Sequence, residues 1–294
     1  MTFLKGLLLT DLTISNKQRI SGLSLDMSHA KTVDNNPGFA KVTLFILFYI
    51  KDICMANPIV SRAEFAVGGE PMTVKGVIQK TSMLLGLAAI TGVGFFFYAL
   101  MAGLSQGFIT MAAFGSMFAA FGLAVFMTFK PKKAKTLAVP YALLEGIFLG
   151  GISLFFMRMY PSVPVTAMCA TFVTAAVMLG LYRSGLVKVT QKFRSIVTSA
   201  LIAIMLVYVA QWILSLAFGS SLPFLFEGGA IAIGFSLFVI VIASFTLLLD
   251  FDNIDRGVAA GISEDYEWLF SIGILATLVW MYIEFMRLLS YLQD

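Results

Sequence analysis

Six carboxylates crowd the stretch from Asp250 to Glu267, directly after an uncharged run from Gly228 to Leu249. Asp250, Asp252 and Asp255 come first, and Glu264, Asp265 and Glu267 follow before the chain turns apolar again. Oxygen-only side chains at this density suit a proton or a hard cation such as Ca²⁺. The start Asp250-x-Asp252-x-Ile254 begins like a calcium loop, then lacks an oxygen ligand at the fifth position, Gly at the sixth and Glu at the twelfth, so it is not an EF-hand. A carboxylate where an apolar helix ends is either a cap in water or a working part of a membrane protein. The macrodipole is negative at a helix C-terminus, so capping does not explain Asp250.

Further charges sit inside or at the edges of apolar stretches, each costing about 2.5 to 3.5 kcal/mol on insertion scales unless paired or hydrated. Glu145 lies about eight residues, or roughly 12 Å, into an apolar stretch, too deep to reach the interface. Gly146 and Gly150 beside it form a small-residue face that admits a neighbouring helix. Two readings stay open for Glu145: a protonated, hydrogen-bonded packing residue, or a polar group lining an internal cavity. Glu284 lies roughly 24 Å along the last apolar stretch. Arg287, one turn on, is spaced for a direct ion pair with it, and Arg158 is the competing partner.

The elements that must position these groups follow from composition. With 59% hydrophobic and 12% charged residues and a mean hydropathy of +0.92, the chain is far from soluble composition and reads as an integral membrane protein. Windows of about 20 apolar residues recur. They predict seven spans at 78–101, 107–129, 136–157, 164–182, 195–217, 229–249 and 267–290, an all-α transmembrane bundle. Residues 1–54 differ in kind, with one short apolar run, and are expected to be a leader outside the native protein; residues 55–294 form the transmembrane domain. Lys and Arg cluster before the first span and after the second and fourth, which puts the N-terminus inside and the C-terminus outside. Trp212 and Trp280 then fall toward the outer interface, and Tyr141, Tyr182, Tyr266 and Trp268 toward the inner one.

Several function classes are excluded. The single histidine, His29, lies in the leader, which argues against a His-ligated metal and any Ser-His catalytic site. Cys54 and Cys169 sit in the leader and mid-span, so no disulfide framework is expected. The last span has no Lys for a retinal Schiff base, and Asp250 follows Leu-Leu-Leu rather than the Gly-x-Gly of intramembrane aspartyl proteases. The net charge of +4 is explained by membrane topology, with no nucleic-acid partner implied. No enzyme activity and no cofactor are expected.

Asp250-Phe-Asp-Asn-Ile254, closing the sixth span, resembles the Asp-Thr-Gln-x-Ile signature of the Bax inhibitor-1 superfamily. Asn57-Pro58 and Met72-Thr-Val-Lys-Gly-Val-Ile-Gln-Lys-Thr81 are similar to the opening of its bacterial branch. Leu144-Glu-Gly-Ile-Phe-Leu-Gly150 and Trp280-Met-Tyr-Ile-Glu-Phe-Met-Arg287 resemble it again, so the likeness covers Asn57 to about Leu292 and none of the leader. The resemblance implies a multi-pass protein of the plasma (inner) membrane of a bacterium that leaks Ca²⁺ down its gradient through the lipid bilayer. It also implies a pH sensor made of a carboxylate pair, with Asp250 as one member and Glu284 as the other. The 34 residues between them would leave Glu284 roughly 20 Å beyond Asp250 on straight helices. Either the sixth span bends, or the partner is another carboxylate near the inner end such as Glu267. Asp252, Asp255 and Glu267 form an acidic inner loop that would concentrate cations. The alternative function is a non-conducting adaptor that binds and restrains a membrane protease or secretion complex. For Glu145 the expectation is an inward-facing side chain: Glu145→Lys impairs insertion or folding, whereas Glu145→Gln is tolerated. Normal expression and melting of the Lys variant would place the side chain in water or headgroups instead.

Overall fold

The computed structural model describes residues 70–218 and 229–293. The leader, with Cys54 and His29, lies outside the described residues, as do Asn57-Pro58, Arg62 and the side chain of Trp212. Seven helices are each long and apolar enough to cross a membrane. They are α1 (Val74–Met101), α2 (Gln106–Phe129), α3 (Ala134–Met159), α4 (Val163–Arg183), α5 (Gln191–Phe218), α6 (Ala230–Ala259) and α7 (Glu267–Tyr291). Short 3₁₀ turns at Pro131–Lys133 and Glu264–Tyr266 lead into α3 and α7. No strand occurs among the described residues, only an isolated bridge between Pro71 and Ser263.

The largest departure from the predicted spans is α6. It does not stop with the apolar run at Leu249 but continues to Ala259, because apolar residues still recur on its inward face, where Ile254 and Gly257 are buried. Asp252 and Arg256 pair one turn apart on the outer face, a spacing that supports a helix. Termination falls instead at Gly261, whose φ of +66° suits glycine, with its N–H donating to Val258 O at 3.0 Å. Asp250 is therefore not at a helix end, as the sequence suggested, but well inside a helix of 30 residues.

α7 is the central strut. Of its most apolar window 56% is buried in protein, against 11% for α5, and it packs on α1, α3, α4 and α6. α1 and α3 approach at backbone distance. A Cβ on Gly146 would stand 2.6 Å from Ala88 O, and one on Gly150 would meet the carbonyl of Gly92 closer still. The small-residue face beside Glu145 is thus the seat of α1.

Polar contacts identify the two ends of the bundle. At the lysine-rich end, Lys135 pairs with Asp265 (3.2 Å) and Tyr182 donates to Asp255 (2.6 Å). Met72 N also donates to Ile262 O at 2.7 Å, which sets the start of α1 beside the start of α7. At the opposite end, Arg158 donates to Gln106 and Gln293 to Ser162. Of the aromatic residues expected at the inner interface, Tyr141 and Tyr266 are buried in protein (1% and 6% exposed) and serve as core residues rather than lipid anchors. Gly150→Leu should lower stability by about 1 to 3 kcal/mol through overpacking against α1, read by thermal unfolding in detergent. Gly115→Leu, with nothing within 4 Å of its Cβ, should leave the melting temperature unchanged.

Candidate functional site

Asp250 is partly buried in the α6–α7 contact, and its partner is a hydroxyl. Thr277 Oγ1 lies 2.8 Å from Asp250 Oδ2 and 3.1 Å from its own helix's Gly273 O. A threonine hydroxyl carries one proton and here faces two acceptor groups. With Asp250 neutral, its O–H donates to Thr277, which donates on to Gly273 O, and both contacts are satisfied. With Asp250 ionised, Thr277 can serve only one of them. Arg194, from the first turn of α5, is engaged with Asp252 two residues further along α6.

Glu284 does not join this site. It is 2% exposed and held by Arg287 Nη2 (2.5 Å), Tyr208 Oη (2.5 Å) and Trp280 Nε1 (3.3 Å). Arg287 donates in turn to Tyr208 Oη (2.7 Å) and Ser236 Oγ (3.2 Å), and stacks over the Tyr208 and Phe235 rings. The expected pairing of Asp250 with Glu284 is therefore corrected to a local Glu284–Arg287 pair that ties α5, α6 and α7 together. Because α6 runs on to Ala259, the turn between the two helices is centred near residue 263, and the level mirrored across it from Asp250 falls beside Thr277. Glu284 is two turns further, about 10 Å.

Glu267 is no partner of Asp250 either. Its carboxylate is 3% exposed and closes the N-terminus of α1: Oε1 accepts from Thr73 N (2.6 Å) and Thr73 Oγ1 (3.2 Å), and Oε2 from Lys80 Nζ (2.6 Å). An anion there faces the positive end of the α1 dipole. Gly76 leaves room for it, since a Cβ at that position would overlap the carboxylate. The expected acidic inner loop is also revised. Asp252 and Asp255 lie on α6, and Asp252 is held by Arg194 (2.5 Å) and Arg256 (2.6 Å) while Arg194 also donates to Asn253 (2.7 Å). Asp252 and Glu267, so neutralised, concentrate few cations, and Asp255 accepts from the Tyr182 hydroxyl. Among the described residues no group of three or more His, Cys, Asp or Glu is placed to hold a metal ion.

Glu145 is partly buried beside Tyr141, with no ion pair among the described residues. Arg158 is exposed and bonded to Gln106, so it does not compete for Glu284.

A family model described as Bax inhibitor 1 like matches residues 26–294. The chain belongs to the Bax inhibitor-1 family. No curated protein and no solved structure matches it. Within this family member the structure adds residues that the sequence reading passed over: Thr277, Arg194, Tyr208 and Lys80. Thr277 was open to inference from hairpin symmetry had the end of α6 been placed at Ala259. Tyr208 and Arg194 carry no such signal, because helix rotation decides which α5 residues face inward.

The Glu284–Arg287 pair sets a measurable stability term. Glu284→Ala leaves a largely buried guanidinium without its carboxylate and should cost about 3 to 5 kcal/mol in equilibrium unfolding. The double replacement Glu284→Met/Arg287→Met should recover most of that loss; a double variant no more stable than the single would show that the pair is not a closed unit.

Proposed function

We propose that this Bax inhibitor-1 family chain is a pH-sensitive leak for Ca²⁺, with its lysine-rich end in the cytoplasm and Asp250 as the titrating group. The observation that carries the reading is the Asp250–Thr277 contact: a carboxyl paired with a hydroxyl between the sixth and seventh spans, each half or more buried in protein. The neutral carboxyl clamps α6 to α7 with every hydrogen bond made. Ionisation leaves Thr277 one proton for two acceptors, Asp250 and Gly273 O, and places a charge in an apolar interior, where it is stable only with water, a cation or a counter-charge. Arg194 is already bound to Asp252 and Asn253, so the ionised side chain draws in water or a cation instead, and the wetted seam between α6 and α7 loosens. This is a one-carboxylate switch, where the sequence led to the expectation of two.

The sign follows from the clamp: protonation closes and deprotonation opens, so flux rises with pH through the titration of Asp250. The test is Ca²⁺-dye fluorescence in proteoliposomes of the purified chain over about two pH units on either side of neutrality. Wild type should show rising flux, Asp250→Asn a low and flat profile, and Thr277→Val raised flux at the acid end because the clamp lacks its partner. Identical profiles for wild type and Asp250→Asn would sink the reading. Absence of flux from the wild type would favour a non-conducting adaptor.

A further inference from the structure

A groove of about 320 Å³ runs along the bundle between α1 and α4, floored by α3 and α7. Both rim helices lean on α7, but they make no extended packing with each other, which leaves the gap open sideways. The floor is made of small or recessed residues: Ala88 is 1% and Thr171 4% exposed, and Gly150 is pressed against Gly92. The rims carry Val93 and Phe97 from α1 and Val165, Met168 and Phe172 from α4, each about half exposed. The same side chains continue into the outward-facing apolar surface of these helices, so the groove opens directly onto the hydrocarbon that surrounds a membrane-spanning bundle.

We infer that this groove holds one acyl chain of a diacyl phospholipid. Three observations select that occupant. The polar atoms along the floor are already used: Thr171 Oγ1 donates to Ala167 O (2.8 Å), Ser153 Oγ donates to Leu149 O (2.5 Å), and Tyr282 Oη donates to Ser153 Oγ (2.9 Å). An occupant gains nothing by being polar. The groove extends along α1 from Leu85 to Phe97, about 18 Å, and ends at Pro161 in the α3–α4 turn and Pro164 in the first turn of α4. It thus runs from one face of the bundle to near the middle of the membrane, matching the depth of one leaflet, about 15 Å of a roughly 30 Å core. A partner helix would find no free hydrogen-bonding group along the lining, only apolar contacts that hydrocarbon supplies equally well. Among the described residues no charged side chain lines the groove, so the carboxylate of a free fatty acid finds no counter-charge there, whereas a phospholipid keeps its headgroup in the interfacial layer.

The experiment uses the full chain in nanodiscs containing a phospholipid with a photoreactive diazirine midway along one acyl chain. Crosslinks should concentrate several-fold on the peptides holding Gly92–Phe97 and Val165–Phe172 relative to the exposed faces of α2 and α5. Ala89→Phe, at an exposed position lining the groove, should abolish that enrichment, while Val125→Phe on the exposed face of α2 should leave it intact. If Ala89→Phe melts early, Met168→Trp fills the groove from the other rim. Even labelling over all lipid-facing helices, or enrichment unchanged in both filling variants, overturns the inference. So does enrichment seen with a diazirine-bearing free fatty acid and not with the phospholipid.

Discussion

α7 makes a side-chain hydrogen bond or ion pair at nearly every level of the bundle, and the rest of the structure hangs on those bonds. Glu267 takes Lys80 and Thr73 of the α1 start, Ser271 donates to Val77 O of α1, Thr277 meets Asp250 of α6, and Tyr282 meets Ser153 of α3. Arg287 reaches Tyr208 of α5 and Ser236 of α6. In hydrocarbon a polar group that lacks a partner has no water to replace it. Each of these contacts therefore fixes the rotation of a neighbouring helix about its axis as well as its distance. Apolar packing alone, between helices whose surroundings are equally apolar, specifies rotation weakly.

The polar sites along α7 differ in how completely they are compensated. At each end a carboxylate meets a full cation and further donors: Glu267 meets Lys80 and Thr73, and Glu284 meets Arg287, Tyr208 and Trp280. In the middle Asp250 meets a hydroxyl, with Arg194 engaged elsewhere. The least compensated carboxyl on the α6–α7 seam is thus the one whose charge can be changed without dismantling an ion pair. α7 carries an ion pair near each end and a hydroxyl contact to α6 between them.

The glycine contacts have a second consequence. Drawing α1 against α3 at Gly92, Gly146 and Gly150 pulls α1 away from α4, and both then rest on α7 without extended packing on each other. The close approach on one side of α1 and the lipid-facing groove on the other are products of the same small residues. Filling the gap with protein would require larger side chains at positions where α3 needs none.

The sequence by itself determined the class of this protein. Seven apolar stretches too long for any other use dictate a helical membrane bundle, and the glycines next to Glu145 dictate a close neighbour, because both properties are local. Glu284 with Arg287 was equally legible, since residues three apart on a helix must meet. The end of α6 was not, because hydropathy reports where lipid ends and not where hydrogen-bonded turns end; the ten residues beyond Leu249 stay helical on packing and a local ion pair. That extension moved the mirror of Asp250 from a glutamate to the level of Thr277. The tertiary structure alone decided which α5 residues face inward, that Glu267 serves α1, and that Asp252 is neutralised by Arg194. Those outcomes depend on the rotation of one helix against another, and a sequence pattern in which nearly every residue is apolar carries little record of rotation.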